Sequence, residues 1–162
     1  RVLCAIGYSG APVNVHKVDV AFRSVAGTVR VCVDGAGIPF SEEEAKKVLL
    51  EKEIEILVND AGYSPAGQFS DLPIADIRSM IQVSVTSLAE LTSVFLHPML
   101  ERGHGRILNM SSMMAKTPCP YNALYGAAKV FVLSFSTALA RELKHTGVSV
   151  TTVCPGATSD FA

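Results

Sequence analysis

Net charge is almost absent from this chain: 14 Lys and Arg stand against 15 Asp and Glu, a formal balance of −1. Such a balance supplies no field to attract nucleic acid or an anionic membrane, and neither is expected as a partner. Cysteine is scarce. The four present, Cys4, Cys32, Cys119 and Cys154, form no CxxC pair and no spacing typical of metal ligands, so no metal site is expected. Three of them lie in the apolar runs VLCAI, VRVCV and TTVCP, where a free thiol behaves as a small buried hydrophobe. A reduced, cytoplasmic setting is the expectation that follows. Cys119, in TPCPY, falls in a predicted loop with no group nearby to activate a thiolate. There is no unbroken apolar run of about 18 residues, the length a membrane span needs, and no signal peptide is visible. Repeats and low-complexity segments are missing as well.

What is present is a chain of 162 residues, 49% hydrophobic and 18% charged, enough to bury a core within one domain. It begins with Arg1 and stops at Ala162, just after a strand-and-turn signal, and so reads as a piece of a longer protein. From residue 29 the order of elements is legible. VRVCVD (29–34) is a β-branched strand ending at Asp34. SEEEAKKVLLEKE (41–53) predicts a helix, with Ser41 and Glu44 forming a capping box and acidic residues in the first turn. IEILVN (54–59) is an apolar strand closed by Asp60-Ala61-Gly62. A long helix is expected over about 74–100, stopped near Pro98 and ERGHG, followed by a strand in GRILNMSS (105–112). A helix over 121–145 ends at Gly147, and VSVTTVCPG (148–156) supplies a last strand.

Strands alternating with helices predict βαβ units and a parallel sheet covered on both faces, and the continuously apolar strands agree with that burial. The helix over 121–145 is apolar around its circumference, with Ala127, Phe131, Val132, Leu133, Phe135, Ala138, Leu139 and Leu143. Burial on more than one side is expected for it, with a second subunit as the second surface. Residues 1–28 are atypical: VLCAI and VDVAF read as short strands and GYSGAP as a turn, with no full helix between.

Parallel sheets bind ligands outside the carboxyl ends of their strands. Those ends carry Asn59-Asp60-Ala61-Gly62, then Ser111 and Ser112, then Pro155-Gly156, and Tyr125 and Lys129 open the helix after the serines. A ketone reduced by hydride becomes an alkoxide that needs a proton. A phenol supplies one, and a neighbouring ammonium favours its phenolate and brings proton exchange closer to neutrality. Positions i and i+4 put Lys129 beside Tyr125 on one helix face. A hydroxyl such as that of Ser112 holds the substrate oxygen as charge develops there. Taken singly, each of these is an ordinary turn, loop or helix-face pair; their order and their places at element ends are what point to a site.

ILVNDAG, GRILNMSS, YGAAK and VCPG, with Ser112 preceding Tyr125 by 13 residues, resemble the short-chain dehydrogenases/reductases. That resemblance implies a doubly wound, Rossmann-like α/β domain, here partial, with residues 29–162 as its βαβ core. It implies an oxidoreductase acting on an alcohol or ketone with NAD or NADP, the latter slightly favoured. Tyr125 would be the acid/base, Lys129 would lower its pKa and bind the nicotinamide ribose, and Ser112 would polarise the substrate oxygen. Asp34, Asn59, Ala61, Gly62, Pro155, Gly156 and Thr158, together with Tyr125 and Lys129, would contact the cofactor.

Departures from the family pattern accompany the matches. After the first strand, Ala11 and Val13 stand where the second and third glycines of the phosphate loop belong, and Gly7 to Val29 is short for the helix and strand expected there. Ser84 takes the place of the relay asparagine, Asp60 that of the second asparagine of the turn, and Asp160 that of the usual threonine, which comes early as Thr158. Three readings stay open at this level: an enzyme seen as an incomplete chain, a non-catalytic relative that lost cofactor affinity, and a chain whose first 28 residues are not the natural start.

Overall fold

The computed structural model describes residues 54–64 and 66–156 in full, together with the backbone of 2–6, 23–25 and 28–32. The helix expected over 41–53, Asp34, the glycine-poor loop after residue 6, and Thr158 lie outside the described residues.

Among the described residues, six strands form one sheet: β1 (Val2–Ile6), β2 (Arg23–Val25), β3 (Thr28–Cys32), β4 (Ile56–Asn59), β5 (Gly105–Met110) and β6 (Val148–Val153), in the order β2-β3-β1-β4-β5-β6. Every neighbouring pair is parallel except β2 and β3, which are antiparallel. The expected parallel sheet is present from β3 to β6, and β2 joins its edge through a two-residue connection that permits only an antiparallel return. VLCAI does form a strand, and it sits at the centre, between β3 and β4. The chain moves outward from β1 to β3 and then returns to β4. That reversal opens a crevice at the carboxyl ends of β1 and β4.

In β4 the buried positions are Leu57 and Asn59, and in β5 they include Ile107 and Asn109, as the period of two requires. The core continues through Ile54, Leu91, Phe95, Met99, Leu139, Leu143 and Val148. The first long helix begins as α1 (Ile74–Ile81), passes through a π-helical turn at Gln82–Thr86, and continues as α2 (Ser87–Arg102). Pro98 lies inside α2, and the helix ends at Arg102, close to the stop expected near Pro98 and ERGHG. Proline removes only its own bond, to the carbonyl of Val94, while the buried Phe95 and Met99 hold the last turn to the core. Gly103, at φ 70°, ends it.

The next helix, α3, runs from Ala123 to Glu142, shorter than 121–145. Tyr121 at φ 64° and His145 at φ 79° bracket it in left-handed conformations that a right-handed helix excludes. Similarly, β5 ends at Met110 and β6 at Val153, leaving the serines and Cys154 in the loops beyond.

By length and composition the stretches Ile74–Arg102 and Ala123–Glu142 would pass as membrane-crossing helices, although no unbroken apolar run does. Packing against a sheet calls for the same composition. In α3 the sheet side carries Gly126, Ala128, Lys129, Val132, Ser136 and Leu139, all buried, whereas Ala127, Val130 and Ala138 on the opposite side are exposed.

Candidate active site

Because β4, β5 and β6 run parallel, their carboxyl ends meet at one rim of the sheet. There Ser111 N–H donates to the Val153 carbonyl at 2.8 Å, and Met113 N–H donates to the Pro155 carbonyl at 3.0 Å. These bonds draw the serine loop and the Pro155-Gly156 turn together. A Cβ at Gly156 would stand 3.3 Å from Met113 Sδ, so the absence of a side chain permits the approach.

Ser112 caps a short 3-10 turn, Met113–Ala115, and its Oγ accepts from Met114 N–H at 3.2 Å. A hydroxyl that accepts in this way keeps its own proton free to donate. Tyr125 and Lys129 lie one turn apart on α3, and the Lys129 ammonium faces the Tyr125 ring, 5.4 Å from its centroid. Lys129 is only 5% exposed, and its Nζ donates to the Met110 carbonyl at 2.8 Å. Burial pushes its pKa below the ordinary lysine value, opposed in part by the carboxylate of Asp60. Burial likewise raises the Asp60 carboxyl, with Lys129 opposing. The aspartate that replaces an expected asparagine therefore faces the lysine electrostatically.

Gly62 lies half-buried in the turn after β4. A Cβ there would stand 3.5 Å from Lys129 Nζ and 3.7 Å from Ser84 Oγ. Ser84 comes from the π-helical turn, is 3% exposed, and its Oγ has no hydrogen-bond partner among the described residues. An ammonium and an unpartnered hydroxyl thus converge beside a residue without a side chain. The loop continuing from Gly62 is tied across the rim to the start of α3, through Gly67 N–H to the Tyr121 carbonyl at 2.9 Å and Ser64 Oγ to Asn122 Oδ1 at 2.7 Å.

Asn59, expected to line a cofactor, turns its amide inward. Its Nδ2 donates to Thr92 Oγ1 at 3.1 Å and to Asn109 Oδ1 at 2.8 Å. Asn109 Nδ2 in turn donates to Ser136 Oγ at 2.8 Å, and Ser136 Oγ to the Val132 carbonyl at 2.7 Å. This buried chain joins β4, β5, α2 and α3 directly below the rim, and Asn59 belongs to the support of the site. Sequence reasoning missed Asn109, Thr92 and Ser136, and it placed Ser111 at the strand end without its bond to α3. The available signal was a polar residue within an apolar stretch, as Asn109 in RILNM and Ser136 in SFSTAL. Ala61 is half-buried in the turn beside Gly62.

Residues 41–161 match the short chain dehydrogenase family. The chain belongs to that family. Among relatives of this short-chain dehydrogenase are the ketoacyl reductase HetN of Nostoc, 33% identical over 149 residues, covering 83% of this chain and 52% of the relative. The human very-long-chain 3-oxoacyl-CoA reductase is 34% identical over 147 residues, covering 86% of this chain and 47% of that protein. The chain therefore spans about half the length of these curated relatives. Among solved structures, a short-chain dehydrogenase from Sphingobium yanoikuyae in complex with NADPH superposes with a TM-score of 0.72 at 29% identity, over 82% of this chain and 53% of that one. The short-chain dehydrogenase fold expected from the motifs is thereby established, as is membership of an oxidoreductase family.

Proposed function

We propose that the protein to which this chain belongs transfers hydride between NAD(P)(H) and an alcohol or ketone. The observation that carries this reading is the Lys129 ammonium, held by the Met110 carbonyl and facing the Tyr125 ring, next to the strand end that bears Ser112. The cofactor supplies or accepts the hydride. Ser112 donates its free proton as a hydrogen bond to the substrate oxygen, and Tyr125 transfers a proton to that oxygen in reduction or removes it in oxidation. Lys129 biases the phenol electrostatically. With Ser84 and the open position at Gly62, it offers a cationic donor and a hydroxyl that suit a ribose. Pro155 and Gly156 border the same space, Ala61 adjoins Gly62, and we keep Asp34 and Thr158 as cofactor contacts on the family pattern.

NADP is favoured over NAD because two structural neighbours carry NADPH and NADP. The names of the two relatives above favour a ketone borne on an acyl chain. Membership of all six strands in one sheet supports a single domain. The exposed side of α3, where Val130 is 47% exposed, supports a second copy as its cover, and the free thiols of Cys119 and Cys154 favour a cytoplasmic setting. The test is a nicotinamide-fluorescence titration with NADPH and NADH, joined to turnover of Tyr125→Phe. Cofactor binding with turnover abolished by the substitution is expected. Wild-type turnover in Tyr125→Phe with cofactor bound would refute the assignment.

A further inference from the structure

Both ends of Lys129 are held by one short piece of chain. Its ammonium donates to the carbonyl of Met110, the last residue of β5, at 2.8 Å. Its main-chain carbonyl accepts from Ser111 Oγ at 2.7 Å. Ser111 is 3% exposed, and its hydroxyl bonds to the helix itself, where no side-chain rotation can absorb a displacement. Seven residues further along α3, close to two helical turns, Ser136 Oγ accepts from Asn109 Nδ2. Two ties, one from β5 and one from the residue just past its end, meet α3 two turns apart and fix both its height and its rotation. The upper tie is at Lys129, and the next residue after Ser111 is Ser112.

We propose that Ser111 is a positioning residue: its bond to the Lys129 carbonyl sets the height of α3 on β5, placing the buried ammonium, and Tyr125 with it, level with the loop that bears Ser112. The consequence for catalysis rests on the functional reading above; the tie itself does not. Among the described residues, the titratable groups facing this ammonium are Asp60, from the turn after β4, and Tyr125, from its own helix. Loosening the upper tie admits water to the ammonium, and water favours its charged form.

The experiment uses the full chain with lysine labelled at Cε, the Lys129 signal being assigned by its loss in Lys129→Met. In Ser111→Ala the titration midpoint of Lys129 rises by about half a pH unit or more, roughly a threefold change in proton affinity. Ser111→Thr keeps the hydroxyl and titrates as wild type. A midpoint unchanged in Ser111→Ala, even with a lowered melting temperature, would overturn the proposal and leave Ser111 a packing residue. So would a threonine variant that behaves as alanine. Should the alanine variant not fold, Ser111→Cys, close in volume and a weak donor, is read by the same criterion. NADPH fluorescence of the wild-type chain is recorded in parallel. Absent binding with a shifted midpoint removes the enzyme reading and keeps the tie, whereas binding with an unshifted midpoint does the reverse.

Discussion

Replacing Asn109 with alanine tests the polar support beneath the site. Asn109 is fully buried, accepts from Asn59 Nδ2 at 2.8 Å and donates to Ser136 Oγ at 2.8 Å. Each such bond contributes about 0.5–1.5 kcal/mol net, and a buried group left with no partner costs about 1–3 kcal/mol. Neither neighbour is stripped bare, because Asn59 Nδ2 keeps Thr92 Oγ1 and Ser136 Oγ keeps the Val132 carbonyl. The orphaning penalty is therefore largely avoided. Two lost bonds and a small cavity remain, a cost of about 2–4 kcal/mol. For a chain of this size that lowers the melting temperature by roughly 5–15 °C. Asn109→Leu, which keeps the volume, separates the polar share from the cavity. Urea unfolding of Asn109→Ala, Ser136→Ala and the double variant should show a coupling of about 1 kcal/mol. A loss below about 0.5 kcal/mol in Asn109→Ala, or no coupling, would refute the claim that this chain of side chains holds α3 to the sheet.

Ser112→Ala should lower turnover about 100- to 1,000-fold while leaving NADPH binding intact, as measured by steady-state kinetics beside fluorescence titration; a loss confined to binding would contradict its proposed role. Gly147 stands at φ 81° with the Gly103 carbonyl where a Cβ would be, so Gly147→Ala should unfold the chain or sharply lower its melting temperature, whereas Gly103→Asn, at φ 70° in open space, should cost about 1 kcal/mol or less. The Asp60 carboxyl is raised above 3.8 in the fold, so the folded chain holds the extra proton and stability falls as pH rises from 3.8 through the folded value. The Lys129 ammonium is lowered below 10.5, so the unfolded chain holds the extra proton and stability rises as pH climbs from the folded value toward 10.5. In melts across pH, Asp60→Asn should remove the first slope and Lys129→Met the second; slopes that survive these substitutions would disprove the assignments.

Legibility differed from element to element. IEILVN and GRILNMSS were readable because apolar and β-branched residues dominate them, although only alternate positions are fully buried. The end of β5 at Met110 agrees with the reading that places Ser111 and Ser112 after the strand. The helix through Pro98 was legible to within two residues of its end, because the cost of proline is local and the burial of Phe95 and Met99 offsets it from across the fold. The pairing of Tyr125 and Lys129 was readable as spacing; the bonds to Met110 and from Ser111 that hold Lys129 were not, because both join residues nearly twenty positions apart.

The order of residues alone decided that strands and helices alternate and that a phenol and an amine share one helix face, because both depend on periods of two and near four along the chain. Which carbonyl holds the Lys129 ammonium, which asparagine turns inward, and which hydroxyl stays unpartnered beside Gly62 were decided only once the parallel strands aligned their ends. Burial then required each polar group to find a partner wherever the fold had placed one.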